Sequence, residues 1–117
     1  METLTIYHNP RCGKSRAALA LLQERQVPLE IIEYLKTPPT RAQLTALRRK
    51  LGRPVSEWVR KGEQEFRAAG LDASSPDETL LDAMAKHPIL IERPIVVRGN
   101  RAVVGRPPER VLELLEQ

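Results

Sequence analysis

Cysteine occurs once among the 117 residues, aromatic side chains four times, and no apolar run exceeds the six residues of Ala17–Leu22. A single cysteine excludes an intrachain disulfide. With two histidines beside it, it also falls short of the roughly four Cys or His ligands of a structural zinc site, so no metal is expected. The short apolar runs exclude a membrane-crossing helix, which needs roughly 20 such residues. No basic segment followed by an apolar stretch stands at Met1–Tyr7, so no secretory signal is read and a reducing, cytoplasmic setting is expected. Four aromatics (Tyr7, Tyr34, Trp58, Phe66) make a poor platform for stacking bases, so nucleic acid is not expected as a partner. The net charge of +4 is mostly local: Arg41–Lys61 carries seven basic residues against one acid, Glu57. A small anionic ligand suits such a surplus.

What is present reads as one domain over residues 1–117, a length within the roughly 100–150 residues of common domains. Thr3–Tyr7 alternates as a strand, Lys14–Arg25 has helical spacing in Ala18, Leu21 and Leu22, and Leu29–Tyr34 is a β-branched strand bounded by prolines. Together they predict a βαβ unit with parallel strands. Thr40 with Gln43 forms a capping box ahead of Leu44, Leu47 and Leu51, with Gly52 as the stop. Ser56 is predicted to cap a short segment carrying Trp58, Val59 and Arg60. Ser75-Pro76-Asp77-Glu78 predicts a second capped helix ending near Lys86, because His87 precedes Pro88. Pro94–Arg98 and Arg101–Gly105 flank Gly99-Asn100, a pair suited to positive φ in a hairpin. Pro107-Pro108 opens a last helix with Val111, Leu112 and Leu115 on one face. The order is βαβ, a helical block at about 40–87, then ββα. It resembles an α/β thioredoxin-like mixed sheet with a helical insertion between its halves.

The turn His8-Asn9-Pro10-Arg11-Cys12-Gly13-Lys14-Ser15 lies between a strand end and a helix start, where open α/β sheets bind ligands. Gly13-Lys14-Ser15 matches the end of a phosphate-binding P-loop, but the first glycine of that motif falls on His8, and Pro10 removes a backbone donor. Cys12 as a small buried residue is a second reading, weakened by its polar, cationic neighbours Arg11, Lys14 and Arg16. The third is a nucleophilic thiolate, favoured by the helix N-terminus and by those cations. His8 could support it as a cation or as a hydrogen-bond donor. A phosphatase loop would need Arg where Ala18 stands, and a C-x-x-C redox pair would need Cys where Ser15 stands. With no second cysteine, sulfur bound at Cys12 can be cleared only by an external thiol.

Tyr7–Arg16, together with Ile91-Glu92-Arg93-Pro94-Ile95 and Gly105-Arg106-Pro107-Pro108-Glu109, resembles the glutaredoxin-coupled arsenate reductases over essentially the whole chain. The resemblance implies cytoplasmic reduction of arsenate to arsenite with glutathione as co-substrate, glutaredoxin as protein partner and no tightly bound cofactor, by a chain expected to be monomeric. It makes Cys12 the nucleophile, helped by His8. Arg60, Arg93 and Arg106 become the anion-binding arginines, with Gly13, Lys14, Ser15 and Pro94 as the supporting loop. Pro94 matches a proline that follows a cis peptide beside the reactive cysteine. In the implied sequence glutathione attacks the thiol-bound arsenic and glutaredoxin removes the glutathione. The alternatives are a glutathione-dependent thiol oxidoreductase without arsenate activity, and an RNA-polymerase-binding regulator of the same fold.

Overall fold

Alternation in the first strand sets the frame. In the computed structural model, which describes residues 2–116, β1 runs Leu4–His8, with Leu4, Ile6 and His8 buried on one face and Thr5 and Tyr7 half-buried on the other. α1 (Gly13–Glu24) leads to β2 (Leu29–Glu33), which lies parallel to β1 with Leu4 opposite Leu29 and His8 opposite Glu33. β3 (Ile95–Arg98) pairs antiparallel with β1, Ile6 opposite Val96, and β4 (Arg101–Val104) completes a hairpin with β3. The sheet order is β2-β1-β3-β4. A thioredoxin-like α/β fold with a mixed sheet is therefore present, and the predicted βαβ and hairpin are both in it.

Two compact units divide the chain: residues up to Thr37 together with those from Arg93 onward, and Pro38–Glu92. In the first, Leu4 and Ile6 of β1, Ala18 and Leu22 of α1, Val96 of β3, and Val111 and Leu114 form one buried cluster with Val27. Each fully buried Leu or Ile contributes about 1.5–3 kcal/mol, so this cluster holds the sheet against α1. The chain end differs from expectation. Pro108–Leu115 is a 3₁₀ helix that buries Val111 as expected, buries Leu114 in addition, and leaves Leu112 and Leu115 half-buried, Leu115 packed against the cluster. Residues three apart eclipse in a 3₁₀ helix, which accounts for the changed face. In the hairpin turn, only Gly99 (φ 58°) has positive φ, as a type II′ turn requires, and Asn100 does not.

The second unit is helical. α2 (Arg41–Leu51) has the full capping box, Gln43 N–H to Thr40 Oγ1 at 3.1 Å and Thr40 N–H to Gln43 Oε1 at 2.8 Å. It buries Leu44, Leu47 and Leu51 and ends on left-handed Gly52 (φ 65°). A 3₁₀ turn at Val55–Glu57 follows, then α3 (Gln64–Ala68), α4 (Asp77–Lys86) and a 3₁₀ turn at Pro88–Leu90. Arg41 ties α2 to α4 through Asp82 Oδ1 (2.7 Å) and Glu78.

Two cap assignments fail here. Ser56 lies inside its 3₁₀ turn; Pro54 holds the cap position, and the Val55 N–H is taken by Asp77 Oδ1 at 3.3 Å. Trp58–Arg60 runs outside any helix, with Val59 bridged to Ile91. Ser75 does not cap α4, because its hydroxyl accepts the Asp72 N–H at 3.0 Å in a local turn, leaving Pro76 at the cap. The stop at Lys86 is where the His87-Pro88 pair places it. Among the described residues, no helix is long and apolar enough to cross a membrane.

Candidate active site

Asn9 builds the turn after β1. Its side-chain Oδ1 accepts the Arg11 N–H at 3.0 Å, its carbonyl accepts the Cys12 N–H at 3.0 Å, and its own N–H donates to Ser15 Oγ at 3.0 Å. Arg16 reaches back to the Pro10 carbonyl at 2.9 Å. These bonds place Cys12 at the N-cap of α1 with extended backbone (φ −96°, ψ 122°). Its carbonyl accepts the first helical bond from the Arg16 N–H, and its thiol is partly exposed.

The cap position aims unpaired amides at the sulfur. Burial alone raises the Cys12 pKa, but this is outweighed by the Ser15 N–H, the positive charge of Arg93, the Lys14 N–H and a hydrogen bond from the Arg93 side chain. The net result is a thiol below its ordinary range. No acidic residue stands in the first turn of α1 to oppose this. Because thiolate is the alkylated form, the rate of Cys12 alkylation by iodoacetamide should rise with pH along a curve whose midpoint lies below that of a free thiol, about 8.5. A midpoint at or above the free-thiol value would contradict the geometry.

His8 is 6% exposed and on the same face of β1 as Leu4 and Ile6, which turns its ring toward α1. Its Nδ1 lies 2.7 Å from the hydroxyl of fully buried Ser15. Burial pushes the His8 pKa down, Glu33 pulls it up and Arg16 pushes it down again, leaving it below its ordinary value. A cationic His8 supporting the thiolate is therefore disfavoured, and its hydrogen bond goes to Ser15. Ser15 thus serves twice, through its N–H toward Cys12 and its hydroxyl toward His8 and Asn9.

Arg93 and Arg106 belong to the same unit as Cys12. Arg93, half-buried, is joined to Arg106 by a hydrogen bond from Arg106 Nη1 to the Arg93 carbonyl at 3.3 Å. The Arg93-Pro94 and Arg106-Pro107 peptides are both cis, and the Gly105 N–H donates to the Pro94 carbonyl at 2.9 Å. Gly105 has to be small: a Cβ there would lie 2.9 Å from both Pro94 Cγ and Val111 Cγ1. Gly13 is not so constrained, since a Cβ would meet Arg16 Nη2 only at 3.7 Å, and Lys14 is exposed.

Arg60 lies in the second unit. Its N–H bonds the Leu90 carbonyl at 2.7 Å, and its guanidinium holds Glu63 Oε1 at 2.6 Å and the Ile89 carbonyl at 3.4 Å. With Arg53 and Lys61 it lines an open cavity of about 760 Å³ that also carries Glu57, Glu63 and Glu92. An anion binding at Arg60 would have to share it with Glu63. Among the described residues, no three His, Cys, Asp or Glu side chains converge as metal ligands.

Sequence reasoning missed Asn9 and Gly105. The Asn-Pro pair is a recognised turn signal that could have found Asn9, whereas the crowding at Gly105 arises only when β4 meets Val111.

Residues 7–114 match the model of the ArsC family. An arsenate reductase of Rhizobium meliloti (strain 1021) is 46% identical over 114 residues, covering 97% of this chain and 81% of that protein. An uncharacterized protein of Escherichia coli (strain K12), YfgD, is also 46% identical, over 116 residues, covering 97% of this chain and 98% of the relative. The solved structure of an arsenate reductase from Vibrio cholerae superposes with a TM-score of 0.90 at 45% identity, covering 96% of this chain and 97% of that one.

Proposed function

Because the chain belongs to the ArsC family, we propose that it is an arsenate reductase in which the Cys12 thiolate attacks arsenate and external thiols supply the electrons. The observation that carries this is the lowered thiol of Cys12, held at the α1 N-terminus beside Arg93. Thiolate and oxyanion repel, and guanidinium forks offset that repulsion with bidentate geometry. Arg93 and Arg106 fill this role in the first unit.

In the first step the Cys12 sulfur displaces one oxygen of arsenate as water. Glutathione then adds to the arsenic and displaces a second. A glutaredoxin thiol attacks the glutathione sulfur, a mixed disulfide forms, and the electron pair of the broken arsenic–sulfur bond passes to arsenic, giving As(III). Water releases arsenite and regenerates Cys12. Overall, two thiols become one disulfide and arsenate loses one oxygen as water. His8 orients the turn through its hydrogen bond with the Ser15 hydroxyl. No resident cofactor is needed, and the natural setting is a reducing cytoplasm.

A coupled assay with arsenate, glutathione, glutaredoxin, glutathione reductase and NADPH tests the reading. Arsenate-dependent NADPH oxidation is the expected result, and its absence at saturating arsenate rejects it. An activated lone thiolate also suits plain thiol–disulfide exchange. NADPH oxidation with a small disulfide in place of arsenate, and none with arsenate, would select that activity instead.

A further inference from the structure

A small cavity of about 190 Å³ opens where the carboxyl ends of β1 and β2 meet, lined by His8, Pro10, Arg11, Glu33, Leu35 and Lys36. His8 and Glu33 are the last register pair of the two strands, and strand carboxyl ends are where such sheets take ligands. The other wall is the turn that carries Cys12, since Asn9, also in the lining, accepts the Cys12 N–H. Leu35 is 46% exposed, as is nearby Ile31, and these are the exposed large apolar side chains among the described residues. Leu35 thus leaves an apolar wall open to solvent across the cavity from the turn that leads into Cys12.

The rim has both signs of charge. Arg11 and Lys36 are cationic and Glu33 is anionic. Lys36 and Glu33 meet at 3.4 Å, but their side chains are 80% and 42% exposed. A pair so open to water is worth little, and a ligand can replace it at small cost. The cavity is also smaller than the roughly 300 Å³ at which pockets enclose drug-sized ligands. Such a site takes one amino-acid-sized end of a ligand. A zwitterionic α-amino acid head matches it, with its carboxylate toward Arg11 and Lys36, its ammonium toward Glu33, and its methylenes against Leu35.

We propose that this cavity receives the α-amino acid head of the external thiol, a γ-glutamyl peptide of the glutathione class, and so delivers its sulfur to Cys12. This rests on the reading of Cys12 as a thiolate served by an external thiol. It is independent of whether arsenate is the substrate.

The test uses a reaction that leaves arsenate out. In glutathione disulfide, the Cys12 thiolate attacks one sulfur, a Cys12–glutathione bond forms, the original S–S bond breaks, and one glutathione departs as thiolate. Rates of mixed-disulfide formation by the full chain are measured by mass spectrometry with glutathione disulfide and with bis(2-hydroxyethyl) disulfide, each normalised to a free cysteine peptide. The normalised preference for glutathione should fall about three- to fivefold in Leu35→Ser and in Lys36→Gln, as expected for loss of an apolar wall or one exposed charge contact. The hydroxyethyl rate should not change. Arg49→Gln, which removes one exposed charge from α2, should leave the preference intact.

An unchanged preference in both cavity variants, or equal slowing of the two disulfides, overturns the proposal. Lys36 is exposed enough that its variant folds, and thermal melting checks Leu35→Ser. If the preference depends on the cavity while arsenate turnover is absent, the cavity assignment stands and the arsenate reading fails. If arsenate is turned over while the preference is indifferent to the cavity, the arsenate reading stands and the cavity assignment fails.

Discussion

Cys12→Ser should lose arsenate-dependent NADPH oxidation by roughly 10⁴-fold or more, the scale seen when a covalent nucleophile is removed. A serine hydroxyl stays protonated where the thiol ionises, so the amides of Ser15 and Lys14 and the charge of Arg93 would have no anion to stabilise. The fold should hardly notice. Cys12 is partly exposed and makes no side-chain cap bond to α1, and serine is itself a favoured N-cap. Melting of the variant should therefore match the parent within a few degrees while turnover falls to background. Residual activity above about a tenth of the parent would show that the sulfur is not the nucleophile.

Gly105→Ala should destabilise the protein by about 1–3 kcal/mol, the usual cost of forcing a methyl group into a filled core. The new Cβ would lie 2.9 Å from the Pro94 ring and from Val111, and both neighbours are buried. Neither can yield easily. Pro94 is bonded through its carbonyl to the Gly105 N–H, and Val111 sits in the main cluster with Leu4 and Leu22. Thermal melting should fall by several degrees. Displacing Pro94 moves Arg93, so the alkylation midpoint of Cys12 should rise toward that of a free thiol. Val111→Ala in the same chain opens space and should recover part of the midpoint. Melting and midpoint both unchanged in Gly105→Ala would mean that the close approach does not set the position of Arg93.

Local chemistry was legible in the residues and distant chemistry was not. The Thr40–Gln43 box, the Gly52 stop and the His87-Pro88 break depend on neighbours within four positions, and each is where the pattern places it. Ser75 and Ser56 carry equally good cap chemistry, yet Asp72 claims the Ser75 hydroxyl and Asp77 satisfies Val55. A cap signal cannot reveal which donor claims the hydroxyl or which acceptor takes the amide. Cys12 at a helix start could be read from the turn ahead of it. That Ser15 would pair with His8 follows from the face of β1 on which His8 falls, a matter of strand register. The bond from Arg106 to the Arg93 carbonyl depends on how β3 and β4 meet, and nothing in either short stretch encodes it. The change of the last helix to 3₁₀, with Leu114 buried beside Val111 and Leu115 only half-buried, shows tertiary packing overriding a short periodic run.

The unit that holds Cys12 is assembled from both ends of the chain, with β3 from the far end pairing directly against β1. A ribosome delivers β1, the turn and α1 first, and the residues of Pro38–Glu92 before any of Arg93 onward. During that interval the sulfur has the amides of its own helix but not its guanidinium, and β1 has only β2 beside it. Full activation arrives when β3 closes on β1 and brings Arg93 with it. The Arg93 contribution to lowering the Cys12 thiol therefore waits on a residue that follows the whole of Pro38–Glu92 in the chain.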